Sequence, residues 1–250
     1  MQVKGLTFPI DNIGRPSYIP NIGIYDGRIM KLTRKLNFLL LVVIGSLRAA
    51  SGVAACAPPP SFVDVPHPTL AAPKLLASHT EEIIVNQPLA VVLDTASRTD
   101  LKDAIHKSSS LPGVSGEYPL NDVPFGTPGA RRLVCLTDGS TLEEQVLEQE
   151  RNQTSSRFRY IVWNYTTKQA RPIEYGIGEF RHTEMPGGRT HIVWTYSFKL
   201  KDHEFPGYLG ALGRYLFRIG FLDRQYAAMM RGTLQAGKPA AEQQPSGATK

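Results

Sequence analysis

The sequence predicts an α+β domain in which an antiparallel sheet packs against one long C-terminal helix. Three observations carry that expectation. Segments rich in β-branched and aromatic residues follow one another across 131–200, with hairpin turns between them. From Pro206 onward Leu209, Leu212, Leu216, Ile219, Leu222, Tyr226 and Met229 recur every three or four positions, which is the period of a helix. The remaining helical stretches are short, so only this last helix is large enough to cover a sheet.

The elements read in order as follows. "HTEEIIV" (79–85) is a first strand, and "NQPLAVVLDTAS" and "RTDLKDAIHKSS" are two short helices, the second capped by Thr99. "ARRLVCLT" and "STLEEQVLEQE" flank Asp138-Gly139, a two-residue hairpin signal. "RFRYIVWNYTT" (157–167) is a further strand. "IEYGIGEFRHTE" and "RTHIVWTYSFKL" flank the turn Pro186-Gly187-Gly188. With those three residues as the loop, Phe180 faces Trp194, Gly178 faces Tyr196 and Gly176 faces Phe198, all on the one face apolar enough to be buried. Two glycines opposite large rings are expected where a sheet bends around bulky side chains or leaves a hollow.

Charge excludes one class of function. Of 28 Lys/Arg and 22 Asp/Glu, seven and two lie in residues 1–55, so 21 basic residues face 20 acidic ones downstream and no basic domain is left for nucleic acid. The excess belongs to a leader. Lys31, Arg34 and Lys35 precede an apolar core at Leu36–Leu47, shorter than the roughly 20 residues of a membrane-spanning helix, and small residues follow. "VAAC" (53–56) resembles a bacterial lipobox, in which Cys56 is the lipidated first residue of the mature protein; Arg48 departs from that pattern. An ordinary cleaved signal or an uncleaved anchor is the alternative. The expected location is therefore the cell envelope, as a membrane-anchored lipoprotein on the periplasmic side, or the periplasm or exterior if Cys56 is not lipidated.

Domain boundaries follow. Residues 1–29 precede a better initiator at Met30 and read as an extension from a start assigned too early. Residues 30–55 are the export signal. Residues 56–74, with six prolines after the cysteine, read as a stiff extended tether, 75–236 as the folded domain and 237–250 as a disordered tail.

The stretches "STLEEQVLEQ", "RFRYIVWNY", "GIGEFRHTEMPGGRTHIVWTYSFKL" and "GRYLFRIGFLDRQYAAMMRGTL" resemble the START/polyketide-cyclase-like superfamily (SRPBCC). The carrying features are Gly187, Gly188 and Thr190 at a turn, followed by alternating Trp194, Tyr196 and Phe198. The resemblance implies a helix-grip fold, a curved antiparallel sheet of about seven strands wrapped on the long helix. It also implies a cavity for lipids or other hydrophobic small molecules, with catalysis in only some members. Trp194, Tyr196, Phe198 and Phe180 are expected to line that cavity, and Leu212, Leu216 and Ile219 to close it from the helix.

Among polar residues Glu144 and Tyr160 are the catalytic candidates. With a two-residue turn, Leu142, Glu144 and Val146 share a face with Leu133 and Cys135, which points the carboxylate inward as a general acid or base or a holder of a ligand hydroxyl. The alternatives are that Glu143 and Gln145 lie inside a shorter edge, or that Glu144 pairs with Arg131 across the strands. Tyr160 and Asn164 share a face with Phe158 and Val162, whereas Trp163 and Tyr165 lie opposite. Histidines show no metal-ligand spacing, Cys135 reads as a small buried hydrophobe, and no phosphate loop is present, so neither a metal nor another cofactor is expected. Three functions remain: binding of a hydrophobic small molecule or lipid, a cyclase/dehydrase-type enzyme, or a partner-binding envelope protein with a packed core.

Overall fold

The computed structural model describes residues 56–108 and 110–243. The extension at 1–29, the leader at 30–55 and residues 244–250 of the tail lie outside the described residues. Ser51–Lys250 form one compact unit that holds every element below.

The strands are β1 (Ala77–Val85), β2 (Val114–Pro119), β3 (Arg131–Leu136), β4 (Thr141–Arg151), β5 (Ser155–Trp163), β6 (Ile173–Met185) and β7 (Arg189–Leu200). They form one antiparallel sheet in the order β1-β7-β6-β5-β4-β3-β2. Helices α1 (Leu89–Arg98) and α2 (Leu101–Ala104) sit between β1 and β2 in the chain. Glutamates satisfy their first amides: Leu89 N–H donates to Glu184 Oε2 at 2.5 Å and Leu101 N–H to Glu117 Oε1 at 3.0 Å. Thr99 does not cap α2; its hydroxyl donates back to the Thr95 carbonyl. The C-terminal helix runs as α3 (Ala211–Phe217), a π-helical segment (Arg218–Tyr226) and α4 (Ala227–Glu242). This is the helix-grip architecture.

The β6–β7 hairpin has the expected register, with Met185 opposite Arg189, Phe180 opposite Trp194, Gly178 opposite Tyr196 and Gly176 opposite Phe198. The β3–β4 register differs by one residue. Leu136 N–H donates to Ser140 O, Gly139 sits at φ +82°, and Arg132 therefore faces Glu144. The left-handed glycine closes a three-residue loop, so Arg132, Val134 and Leu136 take the inner face and Leu133 and Cys135 the outer one.

The helix also differs in phase. Gly213, Phe217, Leu222, Ala227, Met230, Leu234 and Ala241 are its buried positions. Two steps of five residues occur there, from Phe217 to Leu222 and from Leu222 to Ala227. They are the signature of the wider π turn, in which amides bond five residues back. Gly213 is needed for close approach, because a Cβ there would lie 1.8 Å from the Pro206 carbonyl oxygen. The helix runs beyond the expected end at 236, since residues 237–242 continue α4 and Ala241 is buried.

The proline-rich segment is no free tether. Residues 56–72 lie as an extended strap over the outer face, where Val65, Ala71 and Leu76 pack on Ile161, Trp163, Tyr175 and Ile177. Trp163 Nε1–H donates to Val65 O at 3.1 Å, and Ala71 N–H donates to the Tyr175 hydroxyl at 2.6 Å. Arg131 bridges Asp64 of the strap to Glu143 of β4. Prolines remove donors from such a segment while keeping it extended, so it covers a sheet face without competing for ladder bonds.

Cys56 and Cys135 form a disulfide that fixes the start of this strap. A sulfur in a disulfide cannot also carry a thioether. The structure therefore corrects the reading of Cys56 as a lipidation site, and of Cys135 as a simple buried hydrophobe.

Candidate functional site

A cavity of about 240 Å3 lies between the inner face of the sheet, α2 with the loop after it, and the C-terminal helix. Its depth follows from β6. Gly176 and Gly178 leave room for the rings beside them: a Cβ on Gly178 would meet the end of the Tyr160 ring, and one on Gly176 would fall 2.9 Å from Phe198 Cε1. Without side chains at these two positions the sheet holds its aromatic residues while keeping space in front of them.

The expected wall residues are where the β6–β7 register placed them. Phe180, Trp194, Tyr196 and Phe198 all line the cavity, as does Tyr160 from β5. Phe180 stacks on Trp194 at 4.7 Å between ring centroids, and Tyr196 on Phe198 at 4.9 Å. Leu212, Leu216 and Ile219 do not close it. They are exposed on the opposite side of the helix, and Phe221, Tyr226 and Met229 line the cavity instead. The π segment rotates the residues after Phe217 relative to a helix of constant period, which brings Phe221, Tyr226 and Met229 to the cavity; Leu212 and Leu216 precede it, on the side of α3 away from Gly213 and Phe217.

Tyr165 and Asn164 exchange their expected roles. Asn164 has φ +52°, which ends β5 and turns its amide to the outer face, where Nδ2–H donates to Glu143 Oε1 at 2.7 Å and to Val63 O. The reversal brings Tyr165 round to the cavity. Asparagine tolerates the left-handed region better than most residues, and that was the available signal in the sequence.

Glu144 reaches the interior and is buried. Its partner is Arg132, whose Nε–H donates to Glu144 Oε2 at 2.5 Å, and not Arg131. Arg132 also binds Glu117 and lies over the Phe125 ring at 3.4 Å from its centroid. Burial raises the Glu144 carboxyl above its ordinary range, and the Arg132 charge opposes that rise. Arg132 lines the cavity as well, a polar member that only the true β3–β4 register reveals.

Four tyrosines therefore meet one cavity: Tyr160, Tyr165, Tyr196 and Tyr226. Burial pushes each phenol well above its usual ionisation range, so all four stay neutral donors near neutral pH. The Tyr165 hydroxyl and the Trp194 indole nitrogen are buried without a hydrogen bond of ordinary geometry. Native interiors leave few such groups unpaired. The wall is thus largely apolar, with phenols and a Glu144–Arg132 pair as its polar points. No cluster of metal-ligating side chains occurs among the described residues.

Neither a family model nor a curated protein matches the sequence. Solved structures with a similar chain path include the di-domain aromatase/cyclase StfQ from the steffimycin biosynthetic pathway. It shares 17% identity at a TM-score of 0.48, over 68% of this chain and 52% of that one. The Zhui aromatase/cyclase from Streptomyces sp. R1128 is similar at 14% identity and TM-score 0.48, over 70% and 99%. Ara h 8.0201 is similar at 15% identity and TM-score 0.46, over 66% and 97%. The chain spans about half the length of StfQ. The class defined by strand order and helix is the helix-grip fold, and the functional reading rests on the cavity itself.

Proposed function

We propose that this domain binds a compact, largely apolar small molecule in the cavity between sheet and helix. The observation that carries the proposal is the pairing of apolar walls with buried donors on Tyr165 and Trp194 that make no hydrogen bond of ordinary geometry. Apolar burial supplies the affinity, at roughly 25 cal/mol per Å2 removed from water. The phenols and the Glu144–Arg132 pair supply orientation. The volume is slightly below the ~300–1,000 Å3 of typical ligand sites, which suits a molecule of one or a few rings better than a two-chain lipid. The packed-core alternative called for no cavity, and it is set aside. Native and denatured mass spectra of the Ser51–Lys250 unit test the proposal: an extra mass lost on denaturation supports it, and a clean apo mass with no uptake of an apolar dye refutes it.

A cyclase/dehydrase-type activity is the second reading, favoured by one observation. Glu144, raised by burial, and Tyr160 line the same cavity. In that reading the carboxyl moves a proton at a substrate carbon or oxygen while a neutral phenol donates to a developing oxyanion. Glu144→Gln would then abolish turnover and leave binding nearly unchanged, whereas in a pure binder it alters affinity alone.

Export is part of the proposal. The leader at 30–55 supports it, and so does the Cys56–Cys135 disulfide, because such bonds persist in oxidising compartments. The domain would then reside in the periplasm or outside the cell with its strap closed. Thiol alkylation of freshly isolated protein decides: two blocked cysteines support export, and two free thiols contradict it.

A further inference from the structure

Half of the large hydrophobic side chains that stand exposed among the described residues fall in one short stretch, Phe205–Ile219. Phe205, Tyr208, Leu212 and Tyr215 are each 52–63% exposed. Leu212, Tyr215, Leu216 and Ile219 are spaced i, i+3, i+4 and i+7, which places them along one outward side of the helix. Gly213 and Phe217, on the other side, do the packing against the domain. An exposed apolar concentration of this kind marks an interaction surface.

Charge points to the occupant. From Phe205 to Leu222 the chain carries Arg214 and Arg218 and no Asp or Glu. The Arg218 guanidinium lies 5.9 Å from the Tyr215 ring centroid, so cation and aromatic face outward together. Asp223, just past this stretch, lies 3.5 Å from Arg218 Nε; an isologous contact with a second copy would bury the stretch against itself and bring the two copies' Arg214 and Arg218 together. Lipid phosphates meet the same arginines without that conflict, and tyrosine and phenylalanine are the side chains suited to the headgroup boundary. Among the described residues no helix is long and apolar enough to cross a membrane, so the contact is interfacial.

We propose that the Phe205–Ile219 face docks on a bilayer containing anionic phospholipid. It gives the domain a membrane contact independent of its leader. Phe217, behind this face, packs on Phe221 of the cavity wall at 5.1 Å, so the docked surface is one aromatic layer from the cavity.

Vesicle co-sedimentation of the disulfide-bonded Ser51–Lys250 unit tests the proposal; this unit contains all seven strands and both apolar cores. The protein is expected to sediment with phosphatidylcholine vesicles containing phosphatidylglycerol and not with phosphatidylcholine alone, and to be released by salt. Leu212→Asp with Tyr215→Asp lowers the partition coefficient at least about tenfold. Arg214→Gln with Arg218→Gln lowers it on the order of tenfold. Ile84→Asp, at an exposed apolar position on β1 outside the patch, leaves it unchanged. Because the substituted side chains are exposed, thermal midpoints stay near wild type and separate lost docking from lost folding. Absent sedimentation, or binding indifferent to both patch variants, overturns the proposal. So does a concentration-dependent dimer that Leu212→Asp abolishes without any lipid binding, which assigns the face to a second copy.

Discussion

The two faces of the sheet carry similar aromatic side chains and treat them in opposite ways. On the outer face Trp163 and Tyr175 lie under the strap, and each polar tip meets a backbone group of that strap. Glu143, fully buried there, takes contacts from Arg131, the Asn164 amide and the Val65 N–H. On the inner face Trp194 and Tyr165 are buried with no hydrogen bond of ordinary geometry, and both line the cavity. Arg131 Nε is left without a partner on the outer face, but it lies in a packed network with no empty volume described before it. The unpaired donors on the other side differ in belonging to residues that line the cavity, and they fit a surface completed by a ligand.

Substitutions break this comparison most visibly on the packed side. Trp163→Ala removes the largest buried ring of the outer cluster and its bond to the strap, and is expected to cost about 3–5 kcal/mol in chemical denaturation. Opening the disulfide with Cys56→Ser and Cys135→Ser releases a closure of 79 residues and is expected to cost about 4 kcal/mol, with strap amides losing hydrogen-exchange protection.

The inner face away from the cavity offers a pH test. Burial lowers the His182 imidazole from its ordinary 6.5 to about 4. The unfolded chain therefore takes up a proton that the folded domain excludes, and stability falls as pH drops from about 6.5 towards 4, by about 3 kcal/mol across the window. The interval from pH 6.5 to 5 isolates this effect from most carboxylates, and His182→Phe is expected to flatten it in denaturation series. The smallest effect belongs to the cavity. Tyr165→Phe deletes an unpartnered hydroxyl and is expected to change stability by less than about 1 kcal/mol while weakening ligand binding. A large loss of stability there would mean that the hydroxyl is paired after all.

What the sequence made legible is the hairpin whose pattern was strong enough to fix a register. The Pro186-Gly187-Gly188 loop and the alternation of Trp194, Tyr196 and Phe198 determine which rings face inward, and the cavity wall follows from them. Three local devices hid the rest. Gly139 in the left-handed region lengthened one loop by a residue, which changed the partner of Glu144 from Leu133 to Arg132. Asn164 in the same region reversed the phase after β5 and delivered Tyr165 inward. Leu212 and Leu216 lie on the side of α3 away from buried Gly213 and Phe217, and the π turns after Phe217 shift the phase of the residues that follow, leaving Ile219 exposed. Each adds or shifts a single residue, and a period cannot register that. The strap was hidden for a different reason. Its proline content reports an extended chain but not the surface under it, and nothing local joins Cys56 to a partner 79 residues away.

The central claim is that the inner face is a ligand site. Titration of the Ser51–Lys250 unit with the apolar dye 1-N-phenylnaphthylamine tests it most directly, beside Met229→Trp, which fills the cavity from its helix side. The account predicts one saturable site per chain in the wild type and its loss in Met229→Trp, with the fold intact by circular dichroism. No saturable uptake by the wild type, or equal uptake by the filled variant, would contradict it.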